Sequence, residues 1–290
     1  MPIIEPAIRP PSEAESILLQ VTTGCSANTC TFCGGYVGKK FRIKSTDEIF
    51  ADIDYYAEHY PSFIKKVFLM DGDALIVNNN KLLPILKRIL EKMPWVTKIS
   101  SYANGFNITR RSMEELTELY DHKLKVIYMG LESGSQDILT LCKKKATVVE
   151  MIQAVQMAAD VNIKTSLILL LGLGGKKLSH KHIEESASAI NRMQPFYLSF
   201  LSLMLVQGTP LYEQAQQGEF ELLGSKELLI ETYEILKRLE LKKTLFFCNH
   251  ASNYLPLTGR LPMGKDTLLQ TLEAAIRGDI GLKPEIFRGL

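Results

Sequence analysis

The sequence predicts an α/β fold, a partial (β/α)6 barrel of the TIM type with a C-terminal helical and loop extension. Three observations predict it. Short apolar, β-branched runs alternate with longer amphipathic segments, the pattern of a parallel sheet covered by helices. Six such strand-helix units fit between residues 17 and 205. Polar and glycine-rich residues fall at the carboxyl ends of the strands, where barrels gather their chemistry.

The first strand is "ILLQVT" (17–22), followed directly by the loop "TTGCSANTCTFCGG". The segment 45–60 reads as a helix, with Ser45 and Glu48 at capping-box spacing and Ile49, Ile53 and Tyr56 on one face. "KKVFLMD" (65–71) is the second strand and "NNKLLPILKRILEKM" its helix. "TKISSYANG" (97–105) is the third strand, and Ser112 with Glu115 caps the helix after it. "LKVIYMGLES" (124–133) is the fourth strand; Thr147 and Glu150 cap the helix that follows. "IKTSLILLLGLGG" (163–175) is the fifth, nearly continuous in apolar character as a strand buried on both faces should be. "SHKHIEESASAINRM" is its helix, and "FYLSFLSLML" (196–205) is the sixth strand. Residues 1–206 form the barrel core in this reading. Residues 207–290 form an extension packed on it within one structural unit, since no proline- or serine-rich linker marks a boundary.

At 290 residues, 46% hydrophobic and 23% charged, the composition suits one globular domain with a large core. A net charge of +2 argues against general binding to nucleic acid. No apolar signal core opens the sequence, and no run reaches the roughly 18 apolar residues of a membrane span. A soluble, cytoplasmic protein without a membrane partner is expected.

Three of the five cysteines, Cys25, Cys30 and Cys33, share one loop of small residues. In a reducing compartment such a cluster reads as a metal or redox site before it reads as disulfides. Three thiolates can hold three irons of a [4Fe-4S] cube and leave the fourth iron open. The competing reading is zinc on the same thiolates, with His250 as a distant fourth ligand. Cys142 and Cys248, isolated in sequence, read as small buried residues.

The C-x4-C-x2-C loop after the first strand resembles the hallmark of the radical SAM superfamily, one residue longer than its commonest spacing. Phe32, the aromatic residue before the last cysteine, fits as well. "DGD" (71–73) lies where that family binds the methionine amino group of S-adenosylmethionine (SAM), which implies roles for Gly72 and Asp73. "GLESGS" (130–135) resembles the ribose motif of the branch with the elongator catalytic subunit, methylthiotransferases and cobalamin-binding enzymes, implicating Glu132 and Ser133. "LLLGLGG" resembles the segment that packs on adenine, implicating Gly172 and Leu173. "KKKAT" resembles the site of a basic residue facing the methionine carboxylate, with Lys144 first and Lys143 its rival. The resemblance implies a [4Fe-4S] cluster, SAM, and an enzyme that generates a 5′-deoxyadenosyl radical.

Each of these residues also has an ordinary explanation. Asp73 suits a turn, Glu132 a helix N-terminus, and the lysine run a solvated face. Tyr102 and Asn104, at the end of the third strand, and His250, in a polar loop, are the candidate catalytic residues facing substrate. "KKFRIK" (39–44) reads as an exposed loop, a docking patch for a flavodoxin- or ferredoxin-type electron donor, or a phosphate contact. No accessory RNA-binding or cobalamin domain is recognisable. A small molecule is therefore the expected substrate, with a peptide next and RNA after that; a non-catalytic iron-sulfur or zinc protein is the alternative class.

Overall fold

The computed structural model describes residues 3–289, which fall into two compact units. The first contains the residues up to Asn28, Gly35–Met129 and Met157–Thr165. The second contains Thr29–Gly34, Gly130–Gln156 and the chain from Ser166 onward. The fold is α/β, built on eight mainly parallel strands.

In the first unit, β1 (Ile17–Gln20) is followed by a small ribbon, β2 (Thr22–Thr23) with β3 (Arg42–Ile43). Next come β4 (Lys66–Met70), β5 (Lys98–Tyr102) and β6 (Leu124–Glu132), the last of which runs on past Met129. Pairing is parallel in the order β1-β4-β5-β6, with Ile17 beside Val67 and Phe68 beside Ser100. Val67, Phe68, Leu69 and Met70 are all buried, so β4 is covered on both faces. Helices α1 (Thr46–His59), α2 (Asn79–Lys92), α3 (Gly105–Thr109) and α4 (Met113–Asp121) connect these strands. The Ser45/Glu48 and Ser112/Glu115 capping boxes both form, each of a kind that contributes about 1 kcal/mol.

The second unit holds α5 (Gln136–Leu141) and most of α6 (Val148–Asp160), with Thr147 and Glu150 bonded as expected. Then follow β7 (Lys164–Leu171), α7 (Gly175–Met193), β8 (Tyr197–Ser202), α8 (Pro210–Gln216), α9 (Ser225–Arg238), β9 (Thr244–Phe247), β10 (Thr258–Leu261) and α10 (Lys265–Arg277). Strands β7, β8 and β9 run parallel, and β10 returns antiparallel to β9. Among the described residues no helix is long and apolar enough to cross a membrane.

Three expectations need correction. The helix expected from Ser179 begins four residues earlier, at Gly175, because the Leu178 amide already bonds to Gly174 O and the Lys176 amide to Glu221 O. The sixth strand stops at Ser202 rather than continuing to 205. The basic run 39–44 is exposed only in part: Lys40, Arg42 and Ile43 face solvent, whereas the Lys39 and Lys44 side chains do not. Lys39 pairs with Asp71 at 2.9 Å and is only 6% exposed, Lys44 is buried against Asp52, and Arg42 is paired with Glu48. Two of its four cations, Lys39 and Lys44, are spent on internal partners, while Arg42 pairs with Glu48 at the surface and Lys40 stands exposed.

Glu13, ahead of β1, is fully buried inside the first unit. Its carboxylate accepts bonds from Ser16 (2.5 Å), Tyr128 (2.6 Å), Ser100 (2.8 Å) and Lys98 (3.0 Å). The Tyr128 ring packs edge-on against Phe68 of β4 and Tyr102 of β5, and this one carboxylate ties the N-terminal segment to β5 and β6. Burial alone would raise its pKa. The bonds from Ser16 and Tyr128 and the Lys98 charge outweigh burial and hold it below its ordinary 4.5. A carboxyl that binds protons less tightly when folded contributes its full stability above the unfolded pKa and loses it as pH falls through the folded one. Glu13→Ala is expected to cost about 2–3 kcal/mol at pH 7. Urea unfolding as a function of pH checks this: the gap between wild type and variant should narrow as pH falls below the ordinary carboxylate range.

Candidate active site

In the first unit the carboxyl end of β1 leads into Gly24 and Cys25, and a buried carboxylate fixes that turn. Asp71, just after β4, is fully buried; its Oδ2 accepts the Gly24 amide at 2.8 Å, the Gln20 amide at 3.3 Å and the Lys39 ammonium at 2.9 Å. Lys39 also donates to Ile4 O and Pro6 O, at 2.7 and 2.6 Å. Burial pushes the Asp71 carboxyl up, against the pull of Lys39 and the Gly24 amide.

The next residue, Gly72, donates its amide to Gly24 O at 3.1 Å and lies directly against Cys25. A Cβ on Gly72 would sit 2.6 Å from Cys25 Cβ and 2.9 Å from its Sγ. Only glycine lets the two backbones approach this closely. A half-buried thiol on a turn with no room for one more carbon is a cradle suited to a cluster ligand.

Asp73 is fully buried, and both its oxygens are engaged: Ser26 donates to Oδ2 and the Asn107 amide to Oδ1. Burial raises its pKa, opposed by the Ser26 bond, the Asn104 side chain and the Arg110 charge. Asn107 is itself held by Arg111, which also donates to Leu75 O (3.0 Å), Val77 O (2.6 Å) and Asn79 Oδ1 (3.0 Å). Burial lowers the Arg111 pKa to about 10. Ser26, Asn107 and Arg111 were missed in sequence. Ser26 stood in the cysteine loop in plain view, whereas "NGFNITRR" gives no sign that two of its residues brace a carboxylate. Tyr102 packs edge-on against Phe68 at 5.1 Å, and Asn104 stands at the N-cap position of α3 without a side-chain capping bond, beside Asp73.

In the second unit the Cys33 amide bonds to Cys30 O at 3.2 Å, a tight turn held from both sides. The Thr31 amide donates to Cys142 O and the Leu211 amide to Thr31 O, each at 2.9 Å. Cys30 and Cys33 are half-buried, and no disulfide links any of the five cysteines. Cys142 and Cys248 are buried as expected; burial pushes their thiols up to about 11 and about 12, which keeps them unreactive. Phe32 and Leu173 belong to one apolar cluster with Ile138, Cys142, Leu203 and Leu211.

Glu132 adopts a left-handed backbone (φ 62°) and pairs with Lys144 at 3.0 Å. A Cβ on Gly130 would fall 1.9 Å from Glu132 Oε1, so that pairing requires the glycine. Lys143, the rival basic residue, is exposed, and its carbonyl accepts the Thr29 hydroxyl instead. Ser133 is buried with its Oγ 2.8 Å from His182 Nδ1, and the Gly172 amide donates to Glu231 Oε1 at 2.5 Å.

His250 stands on the loop between β9 and β10. Its Nδ1 accepts the Ser252 amide at 3.1 Å, which places the proton of the neutral ring on Nε2. Burial lowers its pKa, assisted by Lys283. Ser252 and Asn253 are stitched to Ser202 (3.1 and 2.9 Å) and Asn253 to Phe200 O (2.8 Å), which anchors the loop that carries the half-buried His250. Among the described residues no three Cys, His, Asp or Glu side chains converge within reach of a single ion.

The sequence profile of the radical SAM superfamily matches residues 19–190, more than half of the chain. An uncharacterized methyltransferase of Pyrococcus horikoshii is 25% identical over 203 residues, 68% of this chain and 41% of that one. A tRNA uridine(34) acetyltransferase of Methanocaldococcus infernus is 26% identical over 111 residues, 38% of this chain and 21% of that one. The chain thus spans less than half the length of these curated relatives. Coproporphyrinogen III oxidase of Escherichia coli, a radical SAM enzyme, superposes with a TM-score of 0.55 at 14% identity, covering 77% of this chain and 50% of that one. That likeness extends to fold alone, the partial barrel of radical SAM structures. On the extent of the profile match, the chain belongs to the radical SAM superfamily, whose members are built around a [4Fe-4S] cluster and SAM.

Proposed function

We propose that this chain is a radical SAM catalyst acting on a small organic molecule. The observation that carries the reading is the cysteine loop, whose first ligand turn has no space for a Cβ at Gly72. Cys25, Cys30 and Cys33 would hold the cluster. Gly72 and Asp73 would meet the amino end of SAM, Lys144 its carboxylate, Glu132 and Ser133 its ribose, and Phe32, Gly172 and Leu173 its adenine. When bound, the cluster supplies the electron that splits the SAM sulfonium into methionine and a 5′-deoxyadenosyl radical.

The protein's share is position and exclusion of water. Asp73, fixed by Ser26 and Asn107, offers the remaining lone pairs of a carboxylate that cannot swing away. Lys144 holds Glu132 at rest, and a SAM carboxylate would compete for the same ammonium. Tyr102, Asn104 and His250 are the groups assigned to substrate. His250, neutral near pH 7 because burial lowers its pKa, would present Nε2–H as a donor.

The charge distribution supports a small molecule over RNA. In the basic run 39–44, Lys39 and Lys44 are held by Asp71 and Asp52 and Arg42 is paired with Glu48 at the surface, which leaves Lys40 as its unassigned cation for a phosphate. Those same pairs argue against that run as the docking patch for the flavodoxin- or ferredoxin-type donor, which would bind elsewhere.

Two measurements test the reading. Anaerobically reconstituted wild type should release 5′-deoxyadenosine when reduced with dithionite and SAM, whereas Cys30→Ala should release none; equal release by both would contradict the assignment. Gly130→Ala should drive Glu132 off Lys144 and raise KM for SAM by about tenfold, the factor of about 1.4 kcal/mol, with iron content unchanged. An unchanged KM would remove Glu132 and Lys144 from the SAM site.

A further inference from the structure

Within the second unit, a buried imidazole and a buried carboxyl, each bonded to one of the two turns assigned to the SAM nucleoside, lie side by side. His182, on α7, is fully buried with its Nδ1 2.8 Å from Ser133 Oγ. Ser133 Oγ already accepts the Ser135 amide at 3.1 Å, so its hydroxyl proton is available to Nδ1. The ring proton then sits on Nε2, which has no hydrogen-bond partner and lies 3.7 Å from Glu231 Oε1. Glu231, on α9, is 1% exposed. Its Oε1 accepts the Gly172 amide and its Oε2 the Ser179 hydroxyl from α7.

We propose that His182 and Glu231 are positioning residues for SAM: acting through Ser133 and Gly172, they hold the two turns in one register and so set the affinity for the adenosyl group. The proposal rests on the reading that this chain binds SAM at those turns. A buried carboxyl beside a buried imidazole is a costly arrangement that a hydrophobic pair of the same volume would avoid, and such networks fix geometry more than they add stability. Burial keeps His182 near a pKa of about 4 and moves Glu231 to about 7, so the imidazole is neutral and the tautomer is set by Ser133. Glu231 lies outside the residues 19–190 matched by the superfamily profile.

The test uses the full chain, reconstituted anaerobically, with SAM affinity measured by calorimetry beside iron content and melting temperature. Glu231→Ala and His182→Asn should each weaken SAM binding by about tenfold or more, the effect of about 1.4 kcal/mol, and raise KM for SAM more than they lower kcat. Iron content should stay at the wild-type level. Glu231→Gln keeps an oxygen for the Gly172 amide and should restore most of the affinity. Should Glu231→Ala fail to fold, His182→Asn decides, since it retains a polar atom toward Ser133 and removes only the one facing Glu231. Unchanged affinity in the variants overturns the proposal. So does a loss that merely follows melting temperature and iron content and is not restored by Glu231→Gln. Failure of the wild type itself to bind SAM overturns the SAM reading first, and is recognised before any variant is made.

Discussion

The contact on which the rest depends is that between Gly72 and Cys25. Two backbone segments, one leaving β1 and the other leaving β4, meet so closely that a single methyl group would be forced into a thiol. Asp71 sustains the approach by accepting the Gly24 amide and the Lys39 ammonium with one buried oxygen. An ionised carboxylate buried this deeply is tolerated only when paired and hydrogen-bonded. Lys39 therefore serves the interior: the same ammonium that neutralises Asp71 also gathers the carbonyls of Ile4 and Pro6.

The second unit repeats the device with different residues. Gly130 leaves space for Glu132, whose left-handed backbone carries strain of the order of 1–3 kcal/mol that its ion pair with Lys144 helps to offset. Strain and buried charge concentrate at strand ends in both units, while the strand bodies, such as β4, are plain apolar packing. That division is expected where a rigid sheet supports polar turns meant for a ligand.

The local signals in the sequence were those that depend on few neighbours. Capping boxes at Ser45, Ser112 and Thr147 need only four residues each, and all three form. The strands were legible because parallel strands covered on both faces are continuous in apolar character. The start of α7 was misplaced because "GLGG" reads as turn composition, whereas a contact to Glu221, nearly 50 residues away, lets the last of those glycines begin the helix. Asn107, Arg111, His182 and Glu231 were not legible for the same reason. Their roles arise from partners 30 to 60 positions distant, and no periodicity marks them. The basic run at 39–44 was legible only in part for the converse reason: Lys40 and Arg42 are solvated, whereas Lys39 and Lys44 meet acid partners that no local pattern announces.

The central claim is an iron-sulfur cluster held by only three protein thiolates, whose remaining corner takes SAM. Paramagnetic resonance of the reduced, reconstituted protein during titration with SAM tests it most directly. The cluster spectrum should change and saturate as SAM is added. A protein with full iron content whose spectrum is indifferent to SAM would contradict it.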